Sequence, residues 1–399
     1  MKISQDRPEQ NVTMSKRISP ISNKKLKKPL AIAALILLVL LIPLGFSLSE
    51  ALTAPGTLPL SIRAVEWVRS NGGGPIVSLA EKTWYSLNAP PKGGKPPAGL
   101  IPKTNKKITT KPQLESQGLI PYPIKTIATP PLPGEGQWRP VGKPIHGLYP
   151  IYIADFRSSK VYTSQVAAVA WMNTKTLTSV HLAAGYKEPG GTNWPLMSPI
   201  PASIRPNLLA AFNSGFRLSA ARGGFYYNGT LGRGTPLTPG AASLVFYKNG
   251  TVNIGSWGSQ VSLTPNVEAV RQNLSLLVNN SKLVSGLRSS NFQRWGATLG
   301  NQVRVWRSGV GITAQGDLVY AAGPGMSVHA LANVLLHAGA VRAMELDINT
   351  DWVNYFYFNP AGSQPAGPSN GHRLLSTMLR PPLRYFQPTA RDFVVLLKR

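Results

Sequence analysis

The sequence predicts an α+β fold: a sheet-rich, mixed α/β domain with hairpins and a βαβ-type unit, preceded by one transmembrane helix and a Pro-rich spacer. Three features carry that reading. An uncharged apolar run from Leu30 to Leu48 follows a basic cluster; 14 prolines fall between Tyr85 and Pro150; and from His146 onward short apolar runs alternate with Gly, Asn and Pro, broken by one stretch with helical spacing. The expected organisation is a cytoplasmic basic tail over residues 1–28, a transmembrane helix over 29–49, a juxtamembrane segment and Pro-rich linker over 50–145, and a folded domain over 146–399.

The 19 residues of the apolar run would span about 28 Å as a helix, close to the hydrocarbon thickness of a bilayer. Lys16, Arg17, Lys24, Lys25, Lys27 and Lys28 precede it. The positive-inside rule then predicts a single-pass protein of the plasma membrane, with a cytoplasmic N-terminus and an extracytoplasmic C-terminal domain. Ser47-Leu48-Ser49 offers a small-x-small site for a cleaved signal peptide, but the run is longer than the roughly 7–15 residues of a signal-peptide core, which favours an uncleaved anchor. Pro43 within it is tolerated in a membrane helix.

Beyond the anchor, Ile62 to Arg69 and Ile76 to Tyr85 read as short helices. The doublets Pro90-Pro91, Pro96-Pro97 and Pro130-Pro131, with lysines interspersed, predict an extended spacer without a core. Within the domain, Val166 to Met172 and Leu177 to Ala183 flank Asn173-Thr174-Lys175 as a hairpin, and Leu244 to Tyr247 and Val252 to Ile254 flank Asn249-Gly250. Phe225 to Tyr227 ahead of Asn228-Gly229, and Val303 to Ile312 with Leu318 to Ala322 around Gln315-Gly316, repeat the device. Pro265 to Val278 reads as a second candidate helix, ambiguous with a strand at its end. A helix capped by Ser327 carries the stripe Val328, Leu331, Val334, Leu335 and Ala338 and stops at Gly339. With strands Leu318 to Ala322 and Arg342 to Ile348 on either side, it forms the βαβ-type unit, and ligands are expected at the C-terminal end of its second strand.

The chain has no cysteine, which excludes a disulfide framework, a thiolate metal site and a cysteine nucleophile. Its net charge is +27. An exported domain has little contact with nucleic acid, so the expected counterpart is anionic envelope material, a phosphate-containing glycan or wall polymer.

Against that basic background, Glu345, Asp347 and Asp351 lie within seven residues, although residues 146–399 hold 8 Asp and Glu against 22 Lys and Arg. Met344, Leu346 and Ile348 alternate with Glu345, Asp347 and Asn349, so the two carboxylates share one strand face with their Cα atoms about 6.6 Å apart. The aromatics Trp352, Tyr355, Phe356, Tyr357 and Phe358 follow, as walls of a pocket or as core. Leu208 to Asn213 is an apolar strand ending in the turn Asn213-Ser214-Gly215-Phe216, with Asn213 placed to donate to a hydroxyl or phosphate oxygen and Gly215 allowing close backbone approach. Arg307 and Arg233, each beside glycines, are candidate phosphate donors. His372, in the loop Ser369-Asn370-Gly371-His372-Arg373, is a candidate general acid or substrate contact. His329 and His337 sit eight positions apart on one helix and make no metal site by spacing, and no cofactor motif is present.

The order Asn213-Ser-Gly-Phe216, Arg307 with Gly309-Val-Gly-Ile312, Gly323-Pro-Gly-Met326-Ser327 and Glu345-Leu-Asp-Ile-Asn349 resembles the phosphodiester glycosidase family over roughly residues 160–399. The tail from Arg380-Pro381 through Arg391-Asp392-Phe393 resembles the ending of its membrane-anchored bacterial members. Many members carry a glycine-rich run after the aspartate, where this chain has Ile348 and Asn349. The resemblance implies hydrolysis of a sugar-1-phosphodiester at the anomeric C–O bond. Asp347 would activate water or attack C1, Glu345 would stabilise the oxocarbenium-like transition state, Arg307 with Arg233 would clamp the phosphate, and Asn213 and Asn349 would orient sugar hydroxyls. No cofactor is implied. The residues also admit two other classes. One is a metal-dependent phosphodiesterase, with Glu345, Asp347 and Asp351 holding a divalent cation; the other is a non-catalytic module that binds anionic envelope polymer.

Overall fold

The computed structural model describes residues 24–102, 112–191, 193–288, 291–296 and 304–399; the basic tail through Asn23 and the strand start at Val303 lie outside them. The chain divides into two compact units, Met1–Ala54 and Pro55–Arg399. In the first, the uncharged run is helical within α1 (Lys24–Thr53). Among the described residues no helix is long and apolar enough to cross a membrane, so the predicted span stands as a proposal.

The second unit opens with the two short helices expected there, α2 (Leu60–Val68) and α3 (Gly74–Leu87). The chain reverses between them at Asn71-Gly72, where Gly72 takes a φ of +87° that a side chain would resist, and Pro75 preorganises the first turn of α3.

Three antiparallel sheets follow. The first has the order β1 (Arg139–Val141), β2 (Ile151–Arg157), β3 (Val166–Met172), β14 (Leu318–Met326), β13 (Val305–Thr313), β15 (Ala340–Ile348), β11 (Leu276–Asn279), β12 (Lys282–Leu283). The second runs β7 (Thr230–Leu231), β6 (Phe225–Tyr227), β10 (Val267–Gln272), β8 (Ala242–Tyr247), β9 (Val252–Ser256). The third runs β17 (Gly371–Arg373), β16 (Tyr355–Phe358), β5 (Leu208–Asn213), β18 (Phe393–Lys398), β4 (Thr178–Ala183).

One face of the first sheet, with Ala170, Tyr320, Val310, Met344 and Leu346, packs in one core with Phe212 and Leu396 of the third sheet and Leu244 and Phe246 of the second. The other face, with Phe156, Val169, Val319 and Ala343, takes α4 (Val328–His337) through Leu331, Val334 and Leu335. Burial on both faces explains why β2 and β3 are buried at every position and read as continuous apolar runs. Gly309 is required here: a Cβ would sit 2.8 Å from the Met344 carbonyl oxygen and 3.0 Å from Leu335 of α4. Ser327 caps α4 by accepting from the Ala330 N–H at 3.1 Å, as its sequence signature predicts.

The Asn-Gly turns form their hairpins, β6 with β7 and β8 with β9. The βαβ unit is also present, but β13 lies between its two strands and pairs antiparallel with both. Three expectations are corrected. Strands β3 and β4 do not pair; Asn173 folds the turn by accepting from the Thr176 and Leu177 N–H groups, and β4 leaves for the third sheet to pair with β18. Residues 265–278 form β10 and β11, and no helix. The Pro-rich stretch is no free spacer over its second half. Ile120, Ile127 and Trp138 are buried in the core under α4, Glu135 bonds Arg157, and β1 pairs with β2. Prolines fix an extended backbone, yet the apolar side chains between them had a sheet face to cover.

Candidate active site

Strand β15 carries its two carboxylates to different environments. Glu345, opposite Gly309 within the sheet, is fully buried and pairs with the Arg307 guanidinium from neighbouring β13. Arg307 also donates Nε to the Met326 carbonyl at 3.0 Å and is 2% exposed. Burial pushes the Glu345 carboxyl up, the Arg307 charge pulls it back, and Asp347 pushes it up again. Arg307 thus uses Nε and Nη1 inside the sheet, and neither it nor Glu345 lines the cleft described next.

Asp347, two residues on, does reach it. A cleft of about 420 Å³ is lined by Asp347 of β15, by Asn349, Trp352, Phe216, Arg217 and Arg391 from loops at the ends of the sheet strands, and by Glu66, Arg69, Ser78 and Glu81 from the α2–α3 hairpin. Asp347 anchors itself by donating its N–H to the Ser214 carbonyl at 2.9 Å, and its Oδ1 accepts from the Ile348 N–H at 3.0 Å. Its Oδ2 lies 4.0 Å from Arg391 Nη2. Burial raises its pKa, while Arg391, the Ile348 N–H and Arg384 draw it down.

Arg391 stacks over Trp352, with Cζ 4.6 Å from the ring centroid, and is 8% exposed with a buried Nη1 that has no hydrogen-bond partner. Arg217 is drawn down to about 10 by burial and then by the Arg391 charge, and it pairs with Glu66 of α2. Arg69 bridges Glu66 at 2.8 Å and Glu81 at 2.6 Å. Thus the sheet side of the cleft carries two guanidiniums against one carboxylate, and the hairpin side balances them with two carboxylates against one guanidinium.

The remaining predicted residues divide. Asn349 lines the cleft in a left-handed conformation (φ +85°) that ends β15. Asn213 is bonded within the core and does not line the cleft: its Nδ2 donates to Ser308 Oγ at 2.9 Å, and its Oδ1 accepts from the Tyr320 hydroxyl at 2.8 Å and the Asn354 N–H at 3.0 Å. Gly215 lies against buried side chains, where a Cβ would come 3.2 Å from Arg271 Cζ and Asn273 Cβ. It lets Arg271, paired with Asp392 at 2.7 Å, bond the Phe216 carbonyl and fix the loop that presents Phe216 and Arg217. Arg233 is half-exposed near Arg217, bonded to the Lys187 carbonyl at 2.8 Å, and does not line the cleft. His372 stacks on Tyr357 of β16, outside the cleft.

Glu345 faces Arg307, Asp347 faces Arg391, and Asp351 feels first Arg380, while Arg384 acts on both aspartates. Among the described residues no three His, Cys, Asp or Glu side chains are placed to hold a metal. The sequence reading missed Arg217, Arg391 as a site residue, and the whole hairpin contribution. The one available signal was the charge spacing Glu66-x-x-Arg69; that Glu81 faces Arg69 is a contact between the two helices.

Residues 207–347 match the phosphodiester glycosidase family model. No curated protein sequence matches the chain. Similar solved structures include the catalytic domain of zebrafish N-acetylglucosamine-1-phosphodiester alpha-N-acetylglucosaminidase, auto-inhibited by its pro-peptide, at 16% identity over 62% of this chain and 82% of that one, with a TM-score of 0.39. A hypothetical protein from Synechocystis is similar at 12% identity over 65% of this chain and 64% of that one, with a TM-score of 0.35.

Proposed function

We propose that this chain, whose residues 207–347 match the phosphodiester glycosidase family model, hydrolyses a sugar-1-phosphodiester at the glycosidic C–O bond, acting on envelope glycans or related glycoconjugates. The observation that carries the reading is the meeting of Asp347, Arg391 and Arg217 in one cleft at the end of β15. The buried, unbonded Nη1 of Arg391 is a donor awaiting an anionic acceptor.

The chemistry suits these groups. Asp347 takes a proton from water as the water oxygen bonds to C1; the C1–O bond breaks and its electron pair leaves on the phosphate oxygen. That leaving group is a phosphomonoester with a second pKa near 6, so it needs cationic stabilisation more than a strong acid. Arg391 and Arg217 supply that stabilisation, taking the role the sequence gave to Arg307 and Arg233. Asn349 orients a hydroxyl, and Trp352 and Phe216 wall the sugar. The step uses no cofactor.

We place the domain outside the cell, held by α1 as a single membrane-spanning helix with the basic tail in the cytoplasm. The charge sequence around the uncharged run and the net charge of +27 support this. The partners are then the bilayer and a phosphate-bearing glycan or wall polymer, with no role for nucleic acid.

The test is turnover of a panel of sugar-1-phosphodiesters by the full chain in ¹⁸O water, with and without chelator. Label in the released sugar supports the reading. Label in the phosphate, or activity lost to chelator and restored by one cation, refutes it in favour of P–O cleavage by a metal enzyme. Binding of the polymer without turnover refutes it in favour of a binding module.

A further inference from the structure

The α2–α3 hairpin has two faces, and the cleft accounts for one of them. On α3, Gly74, Ser78 and Glu81 line the cleft, while Ile76, Leu79, Trp84 and Leu87 are between 65% and 79% exposed. On a helix of 3.6 residues per turn these four fall within an arc of about 140°, opposite the cleft-lining three. Leu60, at the start of α2, is 64% exposed as well. A contiguous stripe of large apolar side chains marks an interaction surface.

Three observations name the occupant. Helix α1, which contains the uncharged run, ends at Thr53 and α2 begins at Leu60, so the connecting residues reach at most about 20 Å. If α1 spans the bilayer, the hairpin cannot leave the membrane surface. Trp84 stands in the stripe, a side chain that favours the boundary between headgroups and hydrocarbon. Exposed Lys92 and Lys95 follow α3 directly, and the whole chain carries +27, which matches an anionic leaflet.

We propose that the outer face of α3 seats in the headgroup–acyl boundary of the bilayer, making the hairpin both the roof of the cleft and its mooring on the membrane. This rests on the proposed membrane span and extends it to the catalytic unit. The cleft then lies about one helix diameter from the bilayer, within reach of phosphodiester sugars carried on lipid or on surface polymer.

The absence of cysteine makes the test clean. The full chain carrying Ile76→Cys, Leu79→Cys or Leu87→Cys is labelled with an environment-sensitive dye and reconstituted in phosphatidylglycerol–phosphatidylcholine vesicles; Ser262→Cys, on an exposed loop of the second sheet, is the control. The expected result is a blue shift and quenching by lipids with a shallow nitroxide at the three hairpin positions, and neither at 262. Dyes that stay as wet as the control on a chain resisting alkaline extraction overturn the docking with the span intact. A chain stripped from vesicles at alkaline pH removes the span and the proposal with it. A blue shift that follows protein concentration and ignores nitroxide lipid identifies a second copy as the occupant, and overturns the proposal too.

Discussion

Asp347→Asn and Glu345→Gln, one methylene apart in chemistry and two residues apart in sequence, should fail in opposite ways. Glu345→Gln leaves Arg307 charged and uncompensated between side chains that are 2% and 0% exposed, and breaking such a pair costs about 3–5 kcal/mol. At about 2.1 cal/mol/K per residue, a unit the size of residues 55–399 has an unfolding entropy near 0.7 kcal/mol/K, so the melting midpoint drops by about 4–7 °C. Asp347→Asn keeps the acceptor for the Ile348 N–H and removes a carboxylate whose burial opposes its charge, offsetting the loss of Arg391 at 4.0 Å. Its stability should change by no more than about 1 kcal/mol, while loss of the proton acceptor lowers kcat by about 10²–10⁴-fold. Scanning calorimetry and turnover of one sugar-1-phosphodiester, measured well below either midpoint, separate the two. A Glu345→Gln protein that melts normally but is inactive, or an Asp347→Asn protein that keeps its turnover, refutes the assignment of roles.

Arg391→Gln removes the buried donor and should raise KM for the diester, and the inhibition constant for inorganic phosphate, by about 10–100-fold, the scale of one hydrogen bond to a charged group; an unchanged KM counts against the clamp. Glu66→Gln releases the partly exposed Arg217 from its ion pair, so KM should fall, by no more than about fivefold because such a pair contributes about 1 kcal/mol or less; a rise in KM would show that Glu66 helps to bind substrate. Because burial raises the Asp347 pKa, the acidic limb of kcat/KM should lie above the ordinary 3.8 and disappear in Asp347→Asn, as a pH–rate profile will show. Asp317, after the Gln315-Gly316 turn, is pushed up to about 7 by burial against the pull of Lys175 and the Thr174 and Lys175 backbone. The folded state holds this proton more tightly than the unfolded chain, so stability is greatest below pH 3.8 as far as this group is concerned and falls as pH rises to about 7. At 1.36 kcal/mol per pH unit the loss totals about 4 kcal/mol. Asp317→Asn should flatten the melting midpoint between pH 5 and pH 8 and raise it at pH 8; an unchanged slope refutes the assignment.

The sequence by itself determined what is local. Asn228-Gly229 and Asn249-Gly250 set their hairpins through backbone that tolerates positive φ, Ser327 and the apolar stripe set α4, and the pattern over Met344 to Ile348 marked strand β15, which carries Glu345 and Asp347. Periodicity reports a face and says nothing of what lies across it. Tertiary structure decided that Arg307 of β13 covers Glu345, while Asp347 lies where Arg391, 44 residues later, and Arg217, 130 residues earlier, close around it. It likewise turned β4 away from β3, laid Ile120, Ile127 and Trp138 against a sheet among prolines that read as spacer, and brought Glu66 to Arg217. Each of these is a pairing between segments far apart in the chain. Its energy comes from burying a particular charge or apolar face against a partner that no local pattern names.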